Sequence, residues 1–230
     1  MSYVLVSVFA EEDDATRASD AFAGWVIENH RRPSTTFRAR APDRDQVRAA
    51  VVAIDPRTAF VLGHGCADGL GPTRTTAWVT PEQFGDVFCG SRAYCFACDI
   101  SPRFAEVAVG AGVTAVLGHD GRIEAPAGEP DFPPEVTLVL RTAMASAAFR
   151  FLDGCDDETE LRQIVAGYDV PIEEMAIPAD AAAAAAAGAR NAWAADVLLQ
   201  RFGRTMRLHR AAAADRPGAS QGRAVSDEAP

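Results

Sequence analysis

Apolar residues follow one another along this chain in two alternating rhythms. Residues 3–9 (YVLVSVF) form a short apolar run with no helical period, which predicts a buried strand. Within 11–29, Ala15, Ala18, Phe22 and Trp25 recur every three or four positions, with Val26 on the same side. Acids crowd the first turn, so this stretch predicts an amphipathic helix. Residues 34–39 (STTFRA) predict an edge strand, 43–54 a second helix, and 59–62 (AFVL) a third strand running into Gly63-His64-Gly65. A glycine-rich loop is predicted over 66–73. In Thr80-Pro81-Glu82-Gln83, a threonine cap precedes a proline at the first helical position and a glutamine at the third, marking a short helix. A fourth strand at 93–96 (AYCF) leads to a helix opened by Ser101-Pro102 and closed by Gly110-Ala111-Gly112. A fifth strand at 113–117 (VTAVL) ends at Gly118-His119-Asp120-Gly121.

Strand and helix in repeated alternation imply right-handed crossovers and an α/β fold. The expected architecture is a mainly parallel sheet with helices on both faces, in which ligands bind at the carboxyl ends of the strands. Here those ends are the loops at His64, Cys98 and His119. Beyond a proline-rich joint at 126–134, Val136, Leu140, Met144, Ala147 and Phe151 mark one helical face, and 157–166 predicts another short helix. The alanine run at 181–187 is helix-prone and leads into Leu198, Phe202 and Met206, spaced by four, with Arg201, Arg204, Arg207 and Arg210 elsewhere on the same predicted helix. The expected organisation is an α/β domain over 1–178, an alanine-rich helical extension over 179–214 packed on the domain or on a partner, and a disordered tail over 215–230.

Composition narrows the classes of function. With 48% hydrophobic and 23% charged residues in 230, the chain has the make-up of a globular protein rather than a disordered one. The net charge is −10, which disfavours non-specific nucleic-acid binding, since phosphate contacts need basic patches. All 22 cations are arginine, so Schiff-base lysines, a P-loop lysine and a Ser–Lys pair are excluded. No apolar run approaches the ~18 residues of a membrane span. The N-terminus reads as a first strand and not as a signal peptide. Five cysteines, four of them between Cys66 and Cys98, make a poor disulfide framework, so a cytoplasmic protein with reduced thiols is expected.

Two strand ends carry chemistry-bearing residues: FVLGHG, ending in His64 and Gly65, and YCFACDIS, holding Cys98. At the rim of a parallel sheet, a histidine after one strand and a cysteine after the next stand side by side. A thiolate is the nucleophile, and it needs a lowered pKa or a nearby base. The helix expected after Pro102 would favour a thiolate at Cys98 through its positive end. His64 can take the thiol proton or protonate a leaving amine. Gly65 lacks a side chain, so its amide can approach a substrate carbonyl, and with the Cys98 amide it forms a candidate oxyanion hole.

FVLGHG, then YCFACDIS, then FAEVAVGAGVTAVLG, in this order and strand context, resembles the caspase-like (clan CD) cysteine peptidases, most closely the CHAT branch. The resemblance spans about residues 3–124. It implies a caspase/hemoglobinase-like, flavodoxin-like strand order, with His64 and Cys98 as a catalytic dyad and Gly65 as oxyanion donor. It also implies a peptide or protein substrate, no cofactor, and an effector role in a defence or cell-death pathway. A protein activator or a second copy of the chain is the further partner class, and neither membrane nor nucleic acid is expected. The position two before the cysteine, acidic in metacaspases, is Phe96, so a basic P1 preference does not carry over.

Other readings use the same residues. A catalytically silent caspase-like module that binds a partner or a small signal is the alternative function. His64, Cys66, Cys95 and Cys98 have donor types suited to zinc, but Cys95 falls mid-strand where structural zinc pairs prefer turns, so no metal is expected. A thioredoxin-like role for C-F-A-C is weaker, because a Ser-Pro start intervenes before the helix. Asp68 and Asp99 read as solvated loop acids or as groups that hold a basic substrate side chain. His119 and Asp120 read as an ordinary turn or as neighbours of the substrate pocket.

Overall fold

The computed structural model describes residues 2–100, 102–123, 134–168 and 198–211. The alanine run at 181–187, the tail at 215–230 and Ser101 lie outside the described residues. Six strands form one sheet: β1 (Val4–Val8), β2 (Thr35–Ala39), β3 (Thr58–Leu62), β6 (Arg92–Phe96), β7 (Ala115–His119) and β8 (Met206–Arg210). Two three-residue strands, β4 (His64–Cys66) and β5 (Gly69–Gly71), form a separate antiparallel hairpin. The helices are α1 (Asp14–Asn29), α2 (Arg44–Val52), α3 (Pro81–Val87), α4 (Arg103–Gly110), α5 (Pro134–Leu152) and α6 (Glu158–Ala166), with a further helical segment over 198–205.

The sheet order is β2-β1-β3-β6-β7-β8, parallel throughout except for β8, which is antiparallel to β7. The order reverses between β1 and β3, the kind of switch point where open α/β sheets leave a crevice. Every residue of β1, β3 and β7 is buried, as expected for parallel strands covered on both faces. Alternate residues divide between two cores. Leu5, Phe60, Leu62, Tyr94, Phe96 and Leu117 pack with α1, α5 and α6 on one face. Val4, Val6, Val61, Cys95 and Val116 pack with α2, α3 and α4 on the other.

Local chemistry explains the element starts. Thr80 and Gln83 make the reciprocal capping box, with Pro81 opening α3. Asp13, Asp43 and Asp157 cap α1, α2 and α6 by accepting backbone amides. Helix α4 begins at Arg103 with Pro102 as its cap residue and no side-chain cap, later than the Ser-Pro start that the sequence suggests.

Two elements depart from the sequence reading. The glycine-rich stretch expected as a loop contains the β4–β5 hairpin, which an isolated bridge between Leu70 and Val79 ties onward. The expected long C-terminal helix ends by residue 205, and Met206–Arg210 is a strand that joins the α/β sheet. The unpaired side of β7 offers a ladder of backbone partners there, and this outweighs the helical spacing of Phe202 and Met206. On its outer side β8 meets α6: the Leu208 amide donates to Glu158 Oε2 at 2.7 Å, and Arg162 donates to the Met206 carbonyl at 2.8 Å.

Candidate active site at the carboxyl ends of the strands

The loops after β1, β3, β6 and β7 surround a cavity of about 900 Å³. Its wall includes His64, Gly65, Asp68, Cys98 and Asp99. Strands β3 and β6 pair in parallel register, with Leu62 opposite Phe96. His64 and Cys98 are therefore each two residues past the same rung of the ladder, on strands that neighbour at about 4.8 Å.

Gly65 lies tight against the Cys98 loop. A Cβ there would fall 2.1 Å from the Cys98 carbonyl oxygen and 2.9 Å from Ile100. The neighbouring strand also orients its amide. Leu70 exchanges hydrogen bonds with Val79 on its far side, so the facing Gly65–Leu70 pair is the non-hydrogen-bonded one. Gly65 accordingly turns its N–H away from β5.

His64 is nearly covered, and its Nε2 lies 3.0 and 3.1 Å from the two carboxylate oxygens of Asp13. Asp13 was not among the candidates that sequence reasoning singled out. It follows β1, does not itself line the cavity, and accepts the Thr16 amide at 2.9 Å as the cap of α1. The Thr16 hydroxyl lies 3.0 Å from the Pro72 carbonyl oxygen and so ties the start of α1 to the segment after β5. Burial alone would raise the Asp13 carboxyl, but the Thr16 amide and the His64 ring outweigh it and hold it below the usual value. The available signal was a capping aspartate just past a strand that adjoins the histidine strand.

The Cys98 sulfur engages Ile123 and not the imidazole: it accepts the Ile123 amide at 3.3 Å and lies 3.4 Å from the Ile123 carbonyl oxygen. Burial pushes this thiol up. The Ile123 amide, Arg122 and Arg74 pull the other way, Asp99 adds to the rise, and the net is upward. A thiolate favoured by a helix terminus was expected. The thiol's burial and the later start of α4 at Arg103 account for the difference.

The remaining candidates separate. Asp99 lines the cavity with a positive φ of 50°, a conformation Asp tolerates better than most residues. Asp68 is exposed on the wall, 3.6 Å from Arg103. His119 and Asp120 do not line the cavity. His119 ends β7 fully buried, 3.3 Å from the Tyr94 hydroxyl and 3.0 Å from that of Thr205, with its ring centroid 4.5 Å from Phe202. Asp120 pairs with Arg207. Both belong to the junction of β7 with β8 and not to a substrate pocket, because β8 covers the place where an open turn was expected. Cys95 points into the core opposite the one Cys98 packs against, so the two thiols do not converge, and no cluster of three or more metal-ligating side chains occurs among the described residues.

Burial holds the His119 imidazole neutral and pushes it down to about 3, with Arg207 adding to the shift. The unfolded chain binds a proton near pH 6.5 that the folded chain refuses, so this residue's contribution is full above that pH and declines as the pH falls toward 3. Between pH 7 and pH 5 the stability lost to His119 is expected to be about 2 kcal/mol. Urea titrations at both pH values should show that His119→Gln removes roughly that difference. An unchanged difference would mean that the histidine charges freely in the fold.

A scan against protein-family models matches none for this chain, and a search of curated proteins finds no match either.

Proposed function

We propose that this chain is a cysteine peptidase of the caspase-like type, nearest the CHAT branch, with Cys98 as nucleophile and His64 as general acid and base. The observation that carries the reading is the register: His64 and Cys98 each lie two residues past the same rung of adjacent parallel strands and line one cavity. The Cys98 thiol gives its proton to His64 as sulfur attacks the scissile carbonyl carbon. The oxygen gains negative charge and accepts the Gly65 amide. The imidazolium protonates the departing amine, leaving a thioester. Water then attacks that thioester, its proton passing through His64 back to sulfur as the acid product leaves.

No helix among the described residues is long and apolar enough to cross a membrane, and all five cysteines are free thiols. In this reading the enzyme is cytoplasmic and acts on peptide or protein substrates without a cofactor, as an effector of a defence or cell-death pathway.

One observation favours a second reading. The thiol is raised and held by Ile123, as suits a silent module that binds a partner or a small signal in the same cavity. An electrophilic cysteine-peptidase probe and a peptide-library profile on wild type, Cys98→Ala and His64→Ala separate the two. The peptidase labels at Cys98 ahead of the exposed Cys66 and Cys89, and each variant loses cleavage by at least about 1,000-fold while staying folded. Cleavage that survives Cys98→Ala, or no labelling of Cys98 beyond that of Cys66, would rule the peptidase out.

A further inference from the structure

Whatever passes through the cavity, one nitrogen of the His64 ring is already committed. Its Nε2 faces both oxygens of Asp13, at 3.0 and 3.1 Å. An ionised carboxylate has only acceptors, so a neutral ring in this contact carries its proton on Nε2. Nδ1 then has the lone pair.

The carboxylate is itself held by Thr16. The Thr16 amide donates to Oδ1 at 2.9 Å, and the Thr16 hydroxyl lies 3.2 Å from the same oxygen. That hydroxyl accepts the Ala10 amide at 3.2 Å and lies 3.0 Å from the Pro72 carbonyl oxygen. The end of β1 and the segment beyond β5 thus meet at the Thr16 hydroxyl, beside the carboxyl group that caps α1. Helix capping requires only one oxygen of Asp13 and leaves the second contact to the imidazole unexplained.

We propose that Asp13 is the positioning residue of this site, holding the His64 ring with Nε2–H on the carboxylate and Nδ1 as the nitrogen that exchanges a proton with the Cys98 sulfur. The proposal rests on the peptidase reading for the proton's destination, but the ring's tautomer does not depend on that reading. When Nδ1 takes the thiol proton, the ring becomes a cation beside a fixed anion, and the charge is neutralised without rearrangement. Asp13 takes no proton in the step. The same carboxylate prevents the ring from turning over, which would present the protonated nitrogen to sulfur and stop the transfer.

The test uses Asp13→Asn. Asparagine caps helices as well as aspartate, so α1 and the fold are retained and only the carboxylate is lost. Nitrogen-15 spectra of histidine-labelled wild type should show His64 bare at Nδ1 and protonated at Nε2. In Asp13→Asn the ring should become a mixture of both tautomers, with melting within a few degrees of wild type. On a cleaved peptide, kcat should fall about 100-fold with KM within threefold. A wild-type ring protonated at Nδ1, an unchanged tautomer in Asp13→Asn, or an unchanged kcat would each overturn the proposal. If wild type cleaves no peptide and Cys98 is not labelled, the peptidase reading fails, while the two spectra still decide what Asp13 does to His64.

Discussion

Gly65→Ala is expected to abolish cleavage and to destabilise the protein together. The added Cβ would sit 2.1 Å from the Cys98 carbonyl oxygen and 3.0 Å from the Ala97 Cβ. The first of these is backbone, which has no rotamer to move, so either the hairpin or the Cys98 loop must shift. Overpacking of this kind costs about 1–3 kcal/mol, which for a domain of this size is a drop of roughly 3–10 °C in melting temperature. The larger effect is on geometry. His64 precedes Gly65 directly, so a shift of about 1 Å in either segment moves His64 relative to Cys98 and, on the peptidase reading, should cost on the order of 100-fold in probe labelling of Cys98. Gly110→Ala is the matched control, since a Cβ there meets nothing within 4 Å. If Gly65→Ala labels and melts as Gly110→Ala does, the close approach does not exist in solution.

Phe202→Asp should prevent folding. Phe202 is 2% exposed, with ring centroids 4.5 Å from His119 and 6.0 Å from Phe96. A carboxylate in that place is buried against the Phe96 ring and the neutral His119 ring, so it must protonate or drag the segment out of the core. Loss of the ring and burial of the acid together are expected to exceed about 4 kcal/mol, a large part of a domain's stability. Phe202→Leu, which keeps an apolar side chain, should cost about 1–2 kcal/mol and remain soluble. Chemical denaturation of both variants measures this. A Phe202→Asp protein with the wild-type midpoint would place the ring outside the core.

The alternation of apolar runs and amphipathic stretches was enough to read five of the six sheet strands: β1, β3, β6 and β7 because parallel strands covered on both faces leave hydrophobic segments, and β2 as a partly exposed edge between two helices. The adjacency of His64 and Cys98 followed from the same pattern, since each closes such a run. What escaped was set by tertiary partners. Gly69-Leu70-Gly71 has no alternation to report a strand, and only its neighbours Cys66 and Val79 make it one. Met206 follows Phe202 by one helical turn, and nothing local tells that the edge of β7 will capture it. Asp13 looked like a helix-terminus acid, which it is. Its second role depends on β1 and β3 being neighbours, a relation between residues 51 apart in the chain. His119 misled for the converse reason: flanking glycines suggested a turn, whereas Tyr94, Thr205 and Phe202 enclose it.

The way β8 ends the sheet also limits how molecules of this protein can meet. An ordinary marginal strand offers a row of bare amides and carbonyls on which another chain can crystallise as the next strand. Along β8 the outward Leu208 amide and Met206 carbonyl are already taken by Glu158 and Arg162, which also pair with each other at 2.6 Å. An incoming strand would have to displace Glu158 and Arg162 to reach these two groups. Addition of a further strand is therefore hindered along this stretch of β8, and β2 is the edge strand on the opposite side of the sheet.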